Sequence, residues 1–375
     1  MLFNVCALYI KIMNNENQTI HKSDDNLTIY GWNEKLNQLK QESIYSTLAH
    51  GRVSIVHRTC YEVISGNGLF QCELTGNMMY GKSDDELPCT GDWVIFQPFD
   101  EHKGIIVDSL PRERTLYRKK SGTVADKQAI ASYVDKAFIV QSLDDNFNVR
   151  RVERFMVQIM EENISSVLVL NKADLDFDRQ SVEEQIKHIS SQIPVFFTSI
   201  HQLETIVRLR KSISEGETVV FVGSSGVGKS SLVNALCEKP VLLTSDISLS
   251  TGKGRHTSTR REMVLMDSSG VLIDTPGVRE FGLAIDNPDS LAEVLEISDY
   301  AELCRFKDCK HINEPGCAVI EAVNSGALDS KVYESYLKLR REAWHFSASE
   351  HEKRKKEKSF TKFVEEVKNR KDANR

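Results

Sequence analysis

The chain has no apolar run approaching the roughly eighteen residues that a membrane-crossing helix needs. Residues Met1 to Met13 are apolar in patches but lack a basic n-region, a continuous apolar core and a small-residue cleavage site, so they do not read as a secretory leader. A soluble, cytoplasmic protein with no membrane partner is the expectation. Positive charge is not in excess either: 48 Lys and Arg against 54 Asp and Glu give a formal charge of −6 and an isoelectric point near 6.0, so the chain as a whole does not announce nucleic acid. Between Gly51 and Leu110 no segment of helical period is evident. Five of the eight cysteines, Cys6, Cys60, Cys72, Cys89 and Cys237, are too scattered to suggest a disulfide framework.

What is present is more specific. At 375 residues and 40% hydrophobic content the chain is long enough for two or three domains, each with its own core. Residues 1–44, with the polar stretch Asn14 to Asn26, read as a flexible N-terminal extension, and translation beginning at Met13 is an alternative. Residues 45–112 contain five short strand patterns, Arg52 to Arg58, Tyr61 to Ile64, Leu69 to Leu74, Trp93 to Gln97 and Gly104 to Ser109, divided by turn signals such as Ser65-Gly66-Asn67-Gly68. They suit an OB-like β-barrel, although a fold of that kind does not name its ligand.

Residues 113–284 alternate strand and helix patterns, the signature of a doubly wound α/β sheet. Asn171-Lys172-Ala173-Asp174, an NKxD run, follows the strand pattern Val167 to Leu170. Thr198-Ser199 follows Val195 to Phe197. The run Gly223-Ser224-Ser225-Gly226-Val227-Gly228-Lys229-Ser230, with Ser231 opening a helix, follows Val219 to Val222. Asp274-Thr275-Pro276-Gly277, a DxxG run, follows Val271 to Ile273. Open parallel sheets bind ligands at the carboxyl ends of their strands, so the four loops are expected to meet at one crevice.

Each run has a chemical reason. GxxxxGK[ST] is the phosphate loop, whose backbone N–H groups cradle phosphates while Lys229 reaches the terminal ones and Ser230 ligates Mg²⁺. Asp174 can accept from both N1–H and N2–H of guanine, donors that adenine lacks. Asp274 is expected to reach Mg²⁺ through water, and the Gly277 N–H to meet the γ phosphate. Ser199 is a looser candidate for the base. An ordinary Gly- or Asn-rich turn is the alternative for either run alone, but three runs together specify guanine nucleotide. Because the base reader precedes the phosphate loop, the chain reads as a circularly permuted P-loop GTPase.

Thr251 to Arg260 lies between the phosphate loop and DxxG and is expected to order when a γ phosphate is present. Spacing does not choose which hydroxyl among Thr257, Ser258 and Thr259 completes the Mg²⁺ shell; Ser258 is carried forward. Val278 stands where other GTPases place the Gln that orients water, and His256 is the nearest polar substitute, set against a loop histidine with no catalytic role.

Residues 285–375 read as a helical zinc-binding domain with a charged tail. Cys304, Cys309, His311 and Cys317 offer three thiolates and an imidazole, a full tetrahedral set that suits structural Zn²⁺ and leaves no position open for water. Buried cysteines without metal are the alternative. The tail segment Lys353 to Lys358 is either a phosphate grip or a solvated face.

These residues resemble one family, the ribosome small-subunit-dependent GTPases of late small-subunit assembly. The resemblance rests on Gly91-Asp92-Trp93-Val94, Arg118-Lys119-Lys120, Gln128-Ala129-Ile130-Ala131, Val134-Asp135, the NKxD, phosphate-loop and DxxG runs, the Gly254 to Thr259 run and the cysteine-histidine cluster. It implies an OB domain, a permuted GTPase domain and a zinc domain, GTPase activity stimulated by the small ribosomal subunit, and contacts with its rRNA. A monomer exchanging GTP for GDP is expected. Ser258 stands where the family's run carries a middle Thr, and the segment before Leu36 has no clear counterpart. A nucleotide-gated rRNA-binding module with incidental hydrolysis is one rival reading, and a P-loop ATPase or small-molecule kinase with a coincidental NKxD run is another. A coupling is also expected in which the segment after DxxG, through Arg279-Glu280-Phe281-Gly282, passes the nucleotide state to the zinc domain.

Overall fold

The fold is described from a computed structural model, over residues 25–83, 85–119, 127–242, 261–267, 270–275 and 288–347. Thirteen strands are present among these residues: β1 Ala49–Val56, β2 Tyr61–Ser65, β3 Gly68–Leu74, β4 Trp93–Asp100, β5 Lys103–Ser109, β6 Leu116–Lys119, β7 Lys127–Ala131, β8 Lys136–Ser142, β9 Ser165–Asn171, β10 Val195–Thr198, β11 Thr218–Val222, β12 Glu262–Leu265 and β13 Val271–Asp274. The helices are α1 Asp25–Thr28, α2 Glu34–Glu42, α3 Gly76–Gly81, α4 Val149–Glu161, α5 Arg179–Gln185, α6 Lys187–Ser190, α7 Leu203–Arg210, α8 Lys229–Leu236, α9 Pro288–Val294, α10 Ser298–Ala301, α11 Ala318–Ser325 and α12 Ser330–Ser347.

The barrel forms as alternation dictates. In β2 the burial alternates strictly, placing Tyr61 and Val63 inward, and β3 does the same with Phe70 and Cys72. Hydrogen bonding runs β1-β2-β3-β5-β4, and β4 returns to β1 with Gly51 opposite Val94, closing the five strands. Closure requires glycine at Gly51, where a Cβ would sit 2.4 Å from the Ile64 carbonyl oxygen. The expected strands all form, but α3 interrupts the run between β3 and β4. Thr75 caps it by accepting from the Met78 N–H, and Met78 supplies its one buried residue. Six residues are too few to show a helical period.

The N-terminal extension becomes structure earlier than expected. Leu27, Trp32 and Leu36 are buried and pack with Trp93, Ile95, Leu110 and Tyr133, so α1 and α2 cover the outer face of β4, opposite the barrel-core residues Val94 and Phe96. Polar neighbours conceal these widely spaced apolar residues in the sequence. Likewise unforeseen is the hairpin β6-β7, which sits between the barrel and the next sheet.

The second sheet has the order β10-β9-β8-β11-β13-β12, parallel except for β12. The chain moves outward through β8, β9 and β10, then restarts at β11 beside β8 and moves the other way. That reversal creates a switch point between β8 and β11, and open sheets of this kind bind ligands outside the strands' carboxyl ends at such a point. β1 pairs antiparallel with β12, Ile55 opposite Glu262, so barrel and sheet form one continuous hydrogen-bonded array. Arg52 joins them from inside: Nε donates to the Gly91 carbonyl at 2.9 Å and Nη1 to Thr218 Oγ1 at 2.9 Å, at the root of β11.

One sheet face carries Ile206, Leu209, Leu232 and Leu236 from α7 and α8 against Phe138 and Phe221. The other carries α4, whose apolar residues Val152, Phe155, Met156 and Ile159 are buried, with Met160 half-buried at their edge. Among the described residues the C-terminal helices do not form a core cluster of their own. Leu291, Val294, Val319, Val332 and Tyr336 join the same cluster as α4, and Arg154 pairs with Glu342 at 2.6 Å across the seam.

Candidate functional site: a nucleotide crevice and a metal centre

Register places the ends of four parallel strands side by side. Asn171 stands opposite Ser142 on β8 and Thr198 on β10, while Phe221 stands opposite Asp274. β11 therefore ends into the phosphate loop between the base-reading loops on one side and the acidic loop on the other.

The phosphate loop is held by glycines where side chains cannot go. Gly223 has φ 151, and a Cβ there would lie 2.4 Å from the Val140 carbonyl oxygen; Gly228 has φ 95, and a Cβ would lie 2.3 Å from Asn171 Nδ2. Ser224, Ser225 and Gly226 form the more accessible part of the loop, and Val227 is buried beneath it. Gly228 opens α8 without a side-chain cap, so the first N–H groups and the positive end of the helix dipole remain available to an anion. Ser231 lies in the first turn.

Lys229 folds back over this loop, its Nζ donating to the carbonyls of Gly223 at 3.0 Å and Ser224 at 2.9 Å. Burial pushes its ammonium below the usual lysine range, with Asp274 opposing that effect. Ser230 Oγ donates to Asp274 Oδ2 at 2.8 Å, and burial raises the Asp274 carboxyl despite that bond and the nearby Lys229. Among the described residues Asp274 Oδ1 is buried with no hydrogen-bond partner. A buried carboxylate oxygen lacking a donor, beside a hydroxyl, fits the oxygen-rich shell of a hydrated Mg²⁺.

The base-reading loops are tied to the phosphate loop. Asn171 Nδ2 donates to the Val227 carbonyl at 2.9 Å, and Thr198 Oγ1 donates to Asn171 Oδ1 at 3.3 Å. Ser199 is fully buried, and its hydroxyl donates to Asp174 Oδ1, an interaction that lowers the Asp174 carboxyl. Asp174 itself is exposed. Lys172, in the left-handed region at φ 61, donates through Nζ to Asp144 Oδ2 at 2.8 Å.

The second constellation lies in the C-terminal region. The ligand atoms of Cys304, Cys309, His311 and Cys317 all lie within 4.8 Å of one another. Cys304 Sγ and Cys317 Sγ are each 3.5 Å from His311 Nδ1 and 3.9 Å apart. Tetrahedral Zn²⁺ with bonds of about 2.3 Å separates sulfurs by about 3.8 Å, so the set fits a four-coordinate ion. Local backbone shapes it. The Glu314 carboxylate accepts from the N–H groups of Lys310 at 3.1 Å, Ile312 at 2.9 Å and Asn313 at 3.1 Å. His311 adopts φ 55, and the Tyr333 hydroxyl donates to its carbonyl at 2.6 Å.

The chain is similar to known proteins. The model of the RsgA GTPase family matches residues 109–284, covering both the base-reading and phosphate runs. The chain is 76% identical over 359 residues to Small ribosomal subunit biogenesis GTPase RsgA 1 of Bacteroides thetaiotaomicron, covering 96% of this chain and 99% of that one. The chain belongs to the RsgA GTPase family.

A second RsgA relative, from Methanosarcina acetivorans, is 38% identical over 338 residues, covering 87% of this chain and 89% of its own. The crystal structure of YjeQ from Thermotoga maritima superposes with a TM-score of 0.60 at 26% identity, covering 79% of this chain and 98% of that one. YloQ, titled a circularly permuted GTPase, shares the fold with a TM-score of 0.58 at 22% identity, covering 82% and 99%. An ABC transporter model also matches, over residues 206–371. That span holds the phosphate loop, which many nucleotide hydrolases share, but not Asn171 to Asp174.

RsgA family membership makes the chain a GTPase, and the fold brings Asn171, Lys172, Asp174, Ser199, Gly223 to Ser231 and Asp274 around one crevice. His256, Ser258 and Gly277 lie outside the described residues, as do Thr257, Thr259, Val278, Arg279 to Gly282 and the charged tail. Asp144 was not foreseen: it sits in no named run, and only the pairing of β8 with β9 sets it beside Lys172. Among the described residues no helix is long and apolar enough to cross a membrane.

Proposed function

We propose that this protein binds GTP with Mg²⁺ in the crevice, hydrolyses it in a manner stimulated by the small ribosomal subunit, and acts in that subunit's maturation in the cytoplasm as a monomer contacting its rRNA. The observation that carries the nucleotide part is the Asn171–Val227 hydrogen bond, which ties the base-reading loop to the phosphate loop and sets their separation. The ribosomal part is supported by the likeness to the small ribosomal subunit biogenesis GTPases of the RsgA family.

In this reading Asp174 pairs with the guanine edge while Ser199 holds its carboxylate. The phosphate loop from Gly223 to Ser231 cradles the phosphates, with Lys229 exchanging its carbonyl partners for phosphate oxygens. When bound, Mg²⁺ would supply charge neutralisation at the phosphates; Ser230 and Ser258 would ligate it, Asp274 would hold it through water, and the Gly277 N–H would meet the γ phosphate. His256 orients the attacking water. Cys304, Cys309, His311 and Cys317 would hold Zn²⁺ as a structural ion. Residues 45–112, 113–284 and 285–375 are the barrel, GTPase and zinc domains.

GTP hydrolysis by purified protein, titrated with small subunits, tests this reading. Turnover should rise severalfold or more with subunits, and His256→Ala should lose most of it while still binding nucleotide. Turnover indifferent to subunits would remove the ribosomal part, and ATP bound as readily as GTP would remove the base assignment. Metal analysis should find one zinc per chain.

A further inference from the structure

We propose that Asp144 is a positioning residue for base selection: it holds the Lys172 ammonium away from Asp174, leaving the Asp174 carboxylate open to guanine. The inference rests on the nucleotide reading above and adds a residue which that reading does not contain. Lys172 and Asp174 are two positions apart in one loop, and Asp174 is exposed. A flexible lysine beside an exposed carboxylate pairs with it by default, and such a pair would occupy the acceptor that the base requires.

The structure shows the lysine engaged elsewhere. Lys172 Nζ lies 2.8 Å from Asp144 Oδ2, with the two side chains 35% and 25% exposed. Asp144 comes from a different strand, in the loop after β8, placed there because Ser142 stands opposite Asn171. Its carboxylate is oriented before any ligand arrives: Oδ1 accepts from Ser142 Oγ at 2.7 Å and from the Asn146 N–H at 3.0 Å. Partial burial opposes ionisation of Asp144, but the hydrogen bonds from Lys172, Ser142 and the Asn146 N–H hold its carboxyl at about 2. It is therefore anionic throughout the physiological range. The left-handed backbone at Lys172 gives the lysine a stem direction different from the one an extended loop would impose. Two carboxylates and two donors are thus sorted into separate pairs, Lys172 with Asp144 and Ser199 with Asp174.

Isothermal titration of the full-length chain with GDP and with ADP tests the assignment. Asp144→Asn should weaken GDP binding about fivefold and leave ADP binding within twofold, because only base pairing is lost; the partly exposed pair sets that modest scale. Asp144→Glu should recover part of the loss. Combined with Lys172→Met, Asp144→Asn should have no further effect, since no ammonium remains to be held. Unchanged GDP affinity in Asp144→Asn, equal losses for GDP and ADP, or the same loss in the Lys172→Met background would each overturn it. If the unaltered protein does not prefer GDP to ADP, the nucleotide reading itself fails. If that preference is present and Asp144→Asn retains it, only the role of Asp144 is withdrawn.

Discussion

The nucleotide crevice and the metal centre are built on opposite plans. The four residues that could hold a metal fall between Cys304 and Cys317, and a single carboxylate, Glu314, gathers the backbone between them. The crevice draws its residues from the ends of β8, β9, β10, β11 and β13, and depends on every strand pairing in register. The difference is one of contact order: the metal centre closes short loops, whereas the crevice exists only once the whole sheet does. Yet the two are not energetically separate. Cys317 and Val319 lie in the same apolar cluster as Val152, Phe155 and Ile139.

The largest expected effect comes from breaking the local site. Cys317→Ser should reduce zinc to well below one per chain and cost about 3 kcal/mol or more, seen as a melting temperature lower by several degrees. Because the core is shared, GDP binding should weaken as well. A variant with no zinc but native melting and native GDP affinity would mean that the two sites are independent after all.

Next comes the long-range site. Gly228→Ala puts a methyl 2.3 Å from Asn171 Nδ2 at φ 95, so both the loop conformation and the Asn171–Val227 bond are compromised. GDP affinity should fall about a hundredfold, or about 3 kcal/mol, with zinc content unchanged. Retained affinity would show that the link between base and phosphate loops is dispensable.

The smallest effect sharpens the comparison through pH. Burial raises the Asp274 carboxyl in the folded state, so its contribution to stability is full below the unfolded value near 3.8 and is lost as pH rises through the folded value. Ionising Asp274 therefore costs the nucleotide-free protein stability that the Ser230 hydrogen bond and the nearby Lys229 only partly offset. Asp274→Asn should stabilise it by about 1 kcal/mol at pH 7, with the gain fading towards pH 4, while Mg²⁺-dependent nucleotide binding is lost. Thermal melts from pH 4 to 8 without nucleotide are the measurement, and a gain independent of pH would assign the effect to something other than charge.

Much of this was legible from residues alone, and the reason differs by element. The phosphate loop is readable because Gly223 and Gly228 occupy backbone conformations and close approaches that only glycine tolerates, which leaves a spaced signature. The barrel strands were readable because one face is buried and one is not. By contrast α3 is too short to show a period, and the apolar residues of α1 and α2 are diluted by polar neighbours. Asp144 belongs to no run at all, since its partner is 28 positions away.

From the chain alone came the chemistry of each loop: which residues can cradle phosphate, accept from guanine, or ligate a soft metal. Those properties belong to side-chain types and to glycine's freedom, and both are local. Tertiary structure alone decided how the pieces meet. It set the β8–β11 switch point, continued the barrel into the sheet through β1 and β12, merged the C-terminal helices into the core of α4, and paired Asp144 with Lys172. Such contacts join residues far apart in the chain, where no spacing rule operates and only packing and register choose the partner.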